Sequence, residues 1–401
     1  MQSDAEKSGV NAPAAMAGRG GLGKNPTRSR DHNRRIVLDL LRQTSPLGRK
    51  ALAEATQLSG PAVANILDDL LREGLILDMG RRKAEGEKQG RGQPPLHFAL
   101  NPRGAHTLGF EISVRGVVSV MLDLVGTQIS QQVLAPSGLG LHEGLAVIRQ
   151  EITRAAALNA GPLMGVGIVH PGGLAIEGQE TADPTTLGDW DNVSRDALAQ
   201  LLGAPVWLEN DANAAALSEA LFGMAAHLND VAVLYFGEGL GLGALQAGRL
   251  MRGARGHAGE IGHIVVVPDG KACSCGQRGC LERYVSRHAL SEALGIPLGR
   301  GTVTSLWQDQ DPRLMGWIAA AGGHLGQVVS MVENLLDPES IILSGQLPAP
   351  VLQALIAATP LRPSVAAHSA RLLPRLQPGH AGIFTAALGA AALPFYDAMS
   401  P

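Results

Sequence analysis

The sequence predicts an α/β protein in which a small helical unit precedes a larger body of strands and helices. Its 401 residues exceed what a single hydrophobic core usually serves, so we expect more than one domain. Helical periodicity dominates residues 34–72, whereas extended apolar segments dominate from Leu108 onward. The net charge of the chain also changes sign at about the same position. Residues 1–107 contain 17 Lys and Arg against 11 Asp and Glu (net +6), and the remainder contains 16 against 25 (net −9).

The composition also excludes two kinds of segment. No apolar run approaches the roughly 20 residues that a membrane-spanning helix needs, so we expect no membrane partner. Residues 1–32 are small, polar and basic, and they lack the apolar stretch of a signal peptide. We interpret them as a disordered tail on a cytoplasmic protein.

Three helices are predicted in the front unit. Residues 34–42 and 47–56 each carry apolar residues at helical spacing, which indicates two short amphipathic helices. A turn at residues 57–59 follows, and Ser59 is placed to cap a third helix that tolerates Pro61 in its first turn. The side chains predicted to face inward are Ile36, Val37, Leu40 and Leu41 in the first helix and Val63, Ile66, Leu67 and Leu70 in the third.

The segment after the third helix completes a pattern typical of DNA-binding proteins. A short strand follows the third helix, residues 80–95 are basic and glycine-rich, and residues 96–100 are again extended. Three helices, a strand, a basic hairpin and a second strand describe a winged helix-turn-helix, which we assign to residues 33–104. Its partner would be double-stranded operator DNA, read in the major groove by the third helix. The candidate DNA contacts are Arg49, Ala62, Asn65, Arg81, Arg82, Lys83, Lys88 and Arg91.

The alternative is a helical unit that mediates protein contacts only. The polar face of the third helix carries Asp68 and Asp69 and few cations, and Asn65 is its only obvious reader of a base edge. A basic front unit on an acidic body nevertheless favours a polyanionic partner.

Strands and helices alternate in the body. Two extended segments begin at Leu108, with turns near Arg115 and Gly126, and a helix over 141–158 and a strand over 164–169 follow. A strand at 205–209 leads directly into a helix through Asn210 and Asp211, and residues 231–250 predict a strand, a glycine-rich turn and a second strand. Beyond residue 282 the pattern is mainly helical, with one further strand at 340–344.

All three cysteines lie within eight positions, as Cys273, Cys275 and Cys280. With His263 as a plausible fourth ligand they satisfy a closed tetrahedral zinc site, which would order a loop over residues 263–280 and tie it to a strand carrying His263. In a reducing cytoplasm a metal explains such a cluster better than disulfides do. The alternative is a group of free or redox-active thiols.

Four motifs in order carry a family resemblance: ENDANAAALSE at 209–219, G-x-G-x-G at 237–241, GEIGH at 259–263 and C-x-C-G-x-x-G-C-L-E at 273–282. Together they resemble the ROK family of sugar kinases and sugar-responsive repressors. The resemblance implies a two-lobed, actin-like domain of the sugar kinase type over residues 105–401, with a sugar in the cleft and a structural zinc. The front unit implies the repressor branch, acting as a homodimer or tetramer.

A sugar site needs planar groups that donate and accept hydrogen bonds in pairs, because each hydroxyl does both. Asn210, Asp211, Glu260, His263 and Glu282 match the sugar-contacting positions of the family. His263 could donate from the ring nitrogen that does not bind zinc. The alternatives are a helix N-cap for Asp211 and a surface carboxylate for Glu260.

The motifs that hold a nucleotide in the family's kinases are altered in this chain. Asp211 matches the kinases' general base, but their D-x-G-G-T turn is replaced by Glu111-Ile-Ser-Val-Arg115. Glu238 lies in the second glycine turn, where we expect its charge to repel ATP, and residues 343–350 keep only Gly345 of the third motif. The sequence therefore predicts a sensor without catalytic residues, in which Asp211 is a vestigial base.

The predicted function is a transcriptional regulator of carbohydrate-metabolism genes, controlled by a sugar or sugar phosphate. The first alternative is an ATP-dependent kinase for a hexose or N-acetylhexosamine with an accessory DNA module. The second is a zinc-stabilised scaffold with neither activity.

Overall fold

The computed structural model describes residues 26–81, 95–158, 160–171, 188–191, 193–366 and 371–399. They form a mixed α/β molecule with one small sheet and two five-stranded sheets. No helix among these residues is long and apolar enough to cross a membrane.

The front of the chain folds as three helices against a small sheet. The helices are α1 (Pro26–Gln43), α2 (Arg49–Thr56) and α3 (Gly60–Arg72), and the strands are β1 (Leu47–Gly48), β2 (Ile76–Arg81) and β3 (Leu96–Leu100), in the order β1-β3-β2. Ser59 caps α3 by accepting a hydrogen bond from the Ala62 backbone N–H, and Pro61 lies in the first turn, as predicted. The four inward-facing side chains predicted for α3 are buried.

Two predicted boundaries in this unit are wrong. Helix α1 begins at Pro26 rather than at residue 34, so residues 26–32 are helical and do not belong to a disordered tail. Arg30 pairs with Asp69 of α3, and this ion pair holds the first turns of α1 in place. The second helix begins at Arg49 rather than at residue 47, because Leu47 and Gly48 pair with β3 instead.

The body begins with a five-stranded sheet in the order β6-β5-β4-β7-β8. Strands β4, β5 and β6 are antiparallel, and β7 and β8 continue from β4 in parallel. The elements of this first lobe are β4 (His106–Ser113), β5 (Gly116–Asp123), β6 (Gln128–Ala135), α4 (Leu141–Ala156), β7 (Leu163–His170), α5 (Gly188–Asp191), α6 (Arg195–Leu202) and β8 (Val206–Asn210). The predicted strands and helix of this region are confirmed.

A second sheet, β11-β10-β9-β12-β13, repeats this pattern of three antiparallel strands followed by two parallel ones. The repetition makes the body two-lobed, as the fold prediction requires. The remaining elements are α7 (Asp211–Phe222), β9 (Val231–Phe236), β10 (Leu240–Gln246), β11 (Arg249–Leu250), α8 (Arg287–Leu294), α9 (Thr302–Gln308), α10 (Pro312–Leu336), β12 (Ser340–Gly345), α11 (Ala349–Ala357), β13 (Leu376–Ala381) and α12 (Thr385–Met399).

The prediction of only one strand after residue 282 is wrong, because β13 pairs in parallel with β12. Pro378 and Gly379 within β13 disfavour a strand by local propensity. The strand forms because it is held at an edge of the sheet by pairing with one tertiary neighbour.

Helices α7 and α12 cross where the two lobes meet, and glycines without a side chain allow their backbones to touch. A Cβ on Gly389 of α12 would lie 1.7 Å from the carbonyl oxygen of Ala214 in α7. Helix α12 lies equally close to the first sheet, since a Cβ on Gly167 would lie 1.9 Å from the Ala390 carbonyl oxygen. Helix α7 approaches the second sheet in the same way, where a Cβ on Gly243 would lie 2.2 Å from the Ala212 carbonyl oxygen.

The front unit shares a hydrophobic core with the first lobe. Val37 and Leu41 of α1 belong to one buried cluster with Leu122 of β5 and with Ala391 and Phe395 of α12. Helix α1 therefore packs directly against α12, and the division into domains at residues 104 and 105 stays a prediction of the sequence.

Candidate functional site

Asn210 and Asp211 lie where β8 ends and α7 begins. Asn210 is the N-cap of α7, and its Oδ1 accepts hydrogen bonds from the backbone N–H groups of Ala212 (2.8 Å) and Asn213 (3.3 Å). Because Asn210 provides the cap, Asp211 is not needed for that role. Its carboxylate accepts one hydrogen bond from the Ala212 N–H and lies at the open end of the helix.

Asp211 is buried among other carboxylates. Burial, together with the nearby charges of Glu260 and Glu282 and against the lowering effect of the Ala212 N–H, raises its pKa to about 7. Three of the five predicted sugar-binding residues are thus brought together from separate motifs. A cluster of carboxyl groups without a buried cation suits a ligand that offers hydroxyl donors.

Glu282 is positioned by the glycine turn between β9 and β10. Its Oε2 accepts a hydrogen bond from the Leu240 N–H (3.2 Å), and a Cβ on Gly239 would lie 2.1 Å from the same oxygen. A side chain at position 239 would therefore displace this carboxylate from its present position.

His263 lies between the carboxylates and the cysteine cluster. Its Nδ1 is 3.5 Å from the Sγ of Cys273, and its Nε2 is 3.9 Å from Oε2 of Glu260. The two ring nitrogens thus face different partners, as expected for a residue that binds a metal through one and a sugar through the other. The prediction that His263 lies on a strand is wrong, because it lies on a 3₁₀ turn (Ile261–His263). This turn places the side chains of Glu260 and His263 close together.

The cysteine cluster has the dimensions of a tetrahedral metal site. The donor atoms of His263, Cys273, Cys275 and Cys280 all lie within 4.8 Å of one another. The Sγ atoms of Cys275 and Cys280 are 3.7 Å apart. Four ligands at the usual zinc distances would give S–S edges of about 3.8 Å and S–N edges of about 3.5 Å. The cluster could therefore hold a metal ion if the donor atoms that lie furthest apart moved closer together.

Two isolated bridges shape the loop around this cluster. Val265 pairs with Cys280, and Ala272 pairs with Arg278, so the chain doubles back between the cysteines. The Tyr284 hydroxyl accepts a hydrogen bond from the Lys271 N–H and anchors the base of the loop.

Glu111, the first residue of the segment 111–115, is buried near Asp211. Glu111 of β4 accepts hydrogen bonds through Oε1 from Gln346 Nε2 (2.8 Å) and from the Tyr235 hydroxyl (3.3 Å). Burial, with a contribution from the charge of Asp211, raises the pKa of Glu111 to about 8. Its side chain is therefore uncharged at neutral pH and joins strands of both lobes.

Glu238, whose charge we expect to repel ATP, is paired with two guanidinium groups. Its Oε1 lies 3.2 Å from Nε of Arg115 and 3.2 Å from Nε of Arg287. Arg115 comes from the β4–β5 turn of the first lobe, whereas Glu238 and Arg287 belong to the second. Two guanidinium groups share one carboxylate oxygen, so the negative charge of Glu238 is compensated.

On the helical unit, Asn65 and Arg81 are exposed and Ala62 is half-buried. Arg49 pairs with Asp68 (3.5 Å) and lies 5.6 Å from the centre of the Phe98 ring, which holds it beside α3. Asp69 is neutralised by Arg30 and Arg72, which reduces the repulsion that an acidic helix would exert on DNA. Arg82, Lys83, Lys88 and Arg91 lie outside the described residues.

Sequence reasoning assigned no role to two buried carboxylates in the ENDANAAALSE motif. Glu209 pairs with Arg252 (2.6 Å), and Glu219 accepts hydrogen bonds from the Ser344 hydroxyl (2.9 Å) and the His380 backbone N–H (2.5 Å). Glu219 therefore joins α7 to β12 and β13. A glutamate in the last turns of a helix rich in alanine and leucine was the signal that could have identified it.

The fold and the site together define a two-lobed protein of the sugar kinase type, with a carboxylate cleft beside a Cys₃His cluster. The chain belongs to the ROK family, whose sequence profile matches residues 108–394.

Two kinds of relative share this family. A xylose repressor of Bacillus spizizenii is 28% identical over 319 residues, which cover 78% of this chain and 81% of the relative. Among solved structures, a ROK family transcriptional regulator superposes with a TM-score of 0.69 at 23% identity, covering 92% of this chain and 98% of that one. A ROK hexokinase from Thermus thermophilus superposes with a TM-score of 0.56 at 28% identity, covering 71% and 96%. The regulator thus matches a larger part of this chain than the hexokinase does.

Proposed function

We propose that the protein is a DNA-binding transcriptional regulator, a repressor of carbohydrate-metabolism genes, which a sugar controls from the cleft between the lobes. The observation that carries the proposal is a continuous path of packed elements. Asp211 begins α7, α7 crosses α12 at Gly389, and α12 shares a buried core with α1. A ligand that favours one arrangement of the lobes can therefore bias the helical unit.

The relatives support the regulatory class. The relative described above is named a xylose repressor, and the match covers 81% of its length. A sugar is therefore the chemical class of effector that we assign to this chain. Asn210, Asp211, Glu260, His263 and Glu282 would form its hydrogen-bonding ring.

The DNA-binding part of the proposal rests on the front unit. A homodimer would place two copies of α3 in successive major grooves of a pseudo-palindromic operator. Asn65 would read a base edge, with Ala62 beside it, while Arg49 and Arg81 would contact phosphates. The basic residues of the hairpin, Arg82, Lys83, Lys88 and Arg91, would add phosphate contacts.

We assign the Cys₃His cluster to a structural Zn²⁺. Three thiolates and an imidazole are the donor set that zinc prefers, and four protein ligands leave no open position for catalysis. The ion would fix Nδ1 of His263 and so orient Nε2 towards the cleft.

Loss of kinase activity is supported by Glu111. In a phosphoryl transfer site a carboxylate near the nucleotide holds Mg²⁺, and charge neutralisation supplies most of the catalysis. Glu111 is uncharged at neutral pH and is engaged by Tyr235 and Gln346. It is therefore a poor metal ligand, and we propose that the chain is not an enzyme.

The kinase alternative is favoured by one observation, the pKa of Asp211. A buried carboxyl with a pKa of about 7 suits a general base, because such a group is basic enough to accept a hydroxyl proton at neutral pH. ADP release from ATP and Mg²⁺ in the presence of a panel of hexoses and N-acetylhexosamines separates the two functions. Sugar-dependent turnover would overturn the sensor proposal.

The decisive test is fluorescence anisotropy of the full chain on DNA from its own upstream region, with and without sugars. The salt concentration is held constant, because phosphate contacts dominate the affinity. We expect specific binding that one sugar changes. Glu282→Gln should abolish the effect of the sugar and leave DNA binding intact, whereas Glu143→Gln on the exposed face of α4 should change neither. Binding no tighter than to random DNA under every condition would refute the regulator.

A further inference from the structure

A buried group of three polar side chains joins the two lobes. Nε2 of Gln346, which follows β12 in the second lobe, donates a hydrogen bond to Oε1 of Glu111 on β4 of the first lobe (2.8 Å). The hydroxyl of Tyr235, on β9 of the second lobe, donates to the same oxygen (3.3 Å). Glu111 is 2% exposed, Tyr235 1% and Gln346 8%. Each polar atom in this group therefore depends on its neighbours for a hydrogen-bond partner.

Two oxygens of this group have no hydrogen-bond partner among the described residues. They are Oε2 of Glu111 and Oε1 of Gln346, and both are buried. An ionised carboxylate only accepts hydrogen bonds, and so does the oxygen of a carboxamide. A carboxylate at position 111 therefore forms one hydrogen bond with this amide and leaves an acceptor on each side chain unused. Exchange of the amide oxygen and nitrogen leaves the same mismatch, because the amide oxygen still has no donor.

A single proton on Glu111 removes this mismatch. The O–H of a protonated carboxyl group is a donor, and the amide oxygen of Gln346 is an acceptor. The acid and the amide then exchange two hydrogen bonds, one in each direction. Oε1 of Glu111 continues to accept from the Tyr235 hydroxyl. Protonation thus satisfies both buried oxygens at once, and it does so across the boundary between the lobes.

The surroundings of Glu111 also favour its protonated form. The charged and titratable groups packed around it are Asp211, Tyr235, Glu238, Arg115, Arg287 and Arg300. Arg115 and Arg287 pair with Glu238, and the residues paired with Glu111 on β5 and β7 are both valines. Burial, together with the charge of Asp211 and against the lowering effect of its two hydrogen bonds, raises the pKa of Glu111 to about 8.

We propose that Glu111 and Gln346 form a proton-dependent latch between the lobes. With the proton in place, two hydrogen bonds hold β4 of the first lobe to the end of β12 in the second. Loss of the proton leaves two acceptor oxygens without donors and buries a negative charge near Asp211, so the lobes separate at this point.

The direction of the pH dependence follows from the raised pKa of Glu111. The folded chain binds this proton more tightly than the unfolded chain, in which the pKa is 4.5. The contribution of the proton to stability is therefore fully present below pH 4.5 and is lost as the pH rises through about 8. The latch is closed at pH 7 and open at pH 9.

Infrared difference spectroscopy of the full chain tests the protonation directly. A protonated carboxyl group has a carbonyl stretch that a carboxylate lacks, and ¹³C labelling of the glutamate side chains separates such a band from that of Asp211. We expect a band at pH 7 that disappears with a midpoint near pH 8 and is absent in Glu111→Gln. Glu143→Gln, on an exposed side chain of α4, is the matched control and should keep the band.

Gln346→Leu tests the partner of the proton. The band should persist in this variant and move to a higher frequency, because the carbonyl group of Glu111 loses the hydrogen bond from Gln346. An unchanged frequency would show that Glu111 is protonated without the help of the amide, and it would overturn the pair.

Hydrogen exchange at pH 7 and pH 9, corrected for the intrinsic effect of pH, tests the opening of the latch. Residues 109–113 and 343–347 should exchange faster at pH 9 in the wild type, because these segments carry the two halves of the latch. Glu111→Gln should show no such increase. Its carboxamide both donates and accepts, so it exchanges two hydrogen bonds with Gln346 at either pH.

The effect of the latch on ligand binding rests on the proposed function, in which a sugar binds between the lobes. The measurement is calorimetry with glucose, N-acetylglucosamine and xylose at pH 7 and pH 9. We expect the sugar that binds to lose about tenfold more affinity at pH 9 in the wild type than in Glu111→Gln. Asp211 is present in both proteins, so the difference between them reports on Glu111.

The outcomes separate this proposal from the proposed function, because the infrared and exchange measurements need neither sugar nor DNA. An ionised Glu111 at pH 7, or equal exchange of the wild type and Glu111→Gln at pH 9, would overturn the latch. An equal loss of sugar affinity in both proteins would overturn its control of the cleft. Absence of sugar binding, with both spectroscopic results as expected, would retain the latch and refute the sugar-sensing function.

Discussion

The pKa of Asp211 is determined by its surroundings more than by its residue type. Asn210 caps α7, so the carboxylate of Asp211 is left for the cleft, and burial then raises its pKa to about 7. A raised pKa means that the folded chain binds this proton more tightly than the unfolded chain does. Stability from this group is therefore fully present below the unfolded pKa of 3.8 and is lost as the pH rises towards 7.

Asp211→Asn should remove this pH dependence. The variant keeps an oxygen for the Ala212 N–H but carries no charge to bury. Relative to the wild type, we expect the free energy of unfolding of the variant to be little changed at pH 4 and higher by about 3 kcal/mol at pH 8. Urea denaturation across this pH range measures the difference. Asp196→Asn, on an exposed side chain of α6, is the control, and a gain independent of pH would contradict the prediction.

At the level of elements, the sequence predicted most where the determining residues are close along the chain. The Ser59 cap, the apolar spacing of α3 and the Cys₃His spacing are all local, and the structure agrees with them. Helix α1 begins earlier than predicted, and its contact with α3 there, the ion pair of Arg30 with Asp69, joins residues 39 positions apart, which local reasoning could not find.

The site follows the same rule. The five predicted sugar-binding residues lie in short motifs, whereas the pairing of Glu238 with Arg115 and Arg287 joins segments more than 40 residues apart. No periodicity reports such a contact. Sequence analysis therefore found the carboxylate of Glu238 but not the two arginines that pair with it.

Zinc removal should unfold the cysteine loop and weaken sugar binding together, because His263 belongs to both sites. Purified protein should contain stoichiometric zinc by mass spectrometry, and chelation should increase hydrogen exchange over residues 264–284. We expect sugar affinity to fall about tenfold or more. Cys275→Ser should reproduce this loss, whereas Ser274→Ala in the same loop should retain the metal. Normal sugar affinity in metal-free protein would contradict the link.

Gly389→Ala tests the crossing of α7 and α12. The new methyl group would meet the Ala214 carbonyl oxygen at 1.7 Å, and this backbone atom cannot move aside. We expect a loss of about 2 kcal/mol or more in the free energy of unfolding. Gly316→Ala, in the second turn of α10, meets no atom within 4 Å and should stabilise the protein slightly. Equal stability of Gly389→Ala and the wild type would show that the helices can separate at no cost.

On the scale of the whole molecule, one helix connects three regions. Helix α12 lies on the first sheet, crosses α7 from the second lobe and shares a buried core with α1. Both proposed ligands therefore act on elements that α12 contacts, although the residues proposed to bind them lie more than 100 positions apart in the sequence.

Phe395→Leu should weaken the coupling between sugar and DNA. Phe395 belongs to the buried cluster that contains Val37 and Leu41 of α1, so trimming it loosens the junction without touching either site. We expect each ligand alone to bind within about threefold of its wild-type affinity and the coupling free energy, typically about 1–3 kcal/mol, to fall towards zero. Anisotropy with and without effector measures it. Phe110→Leu, in a different cluster of the first lobe, is the control, and unchanged coupling in Phe395→Leu would exclude this route.

The glycine contacts determine how the lobes can move. The first sheet holds α12 through Gly167, the second sheet holds α7 through Gly243, and the two helices touch at Gly389. Backbone packed against backbone cannot be pulled apart without opening a void, but it can turn. Rotation about such a pivot moves the outer rim of the cleft much further than the helix crossing. We therefore expect a small molecule bound in the cleft to produce a large displacement of the cleft rim with a modest binding energy. Because α1 packs on α12, we expect α1 to follow the rotation of the first lobe.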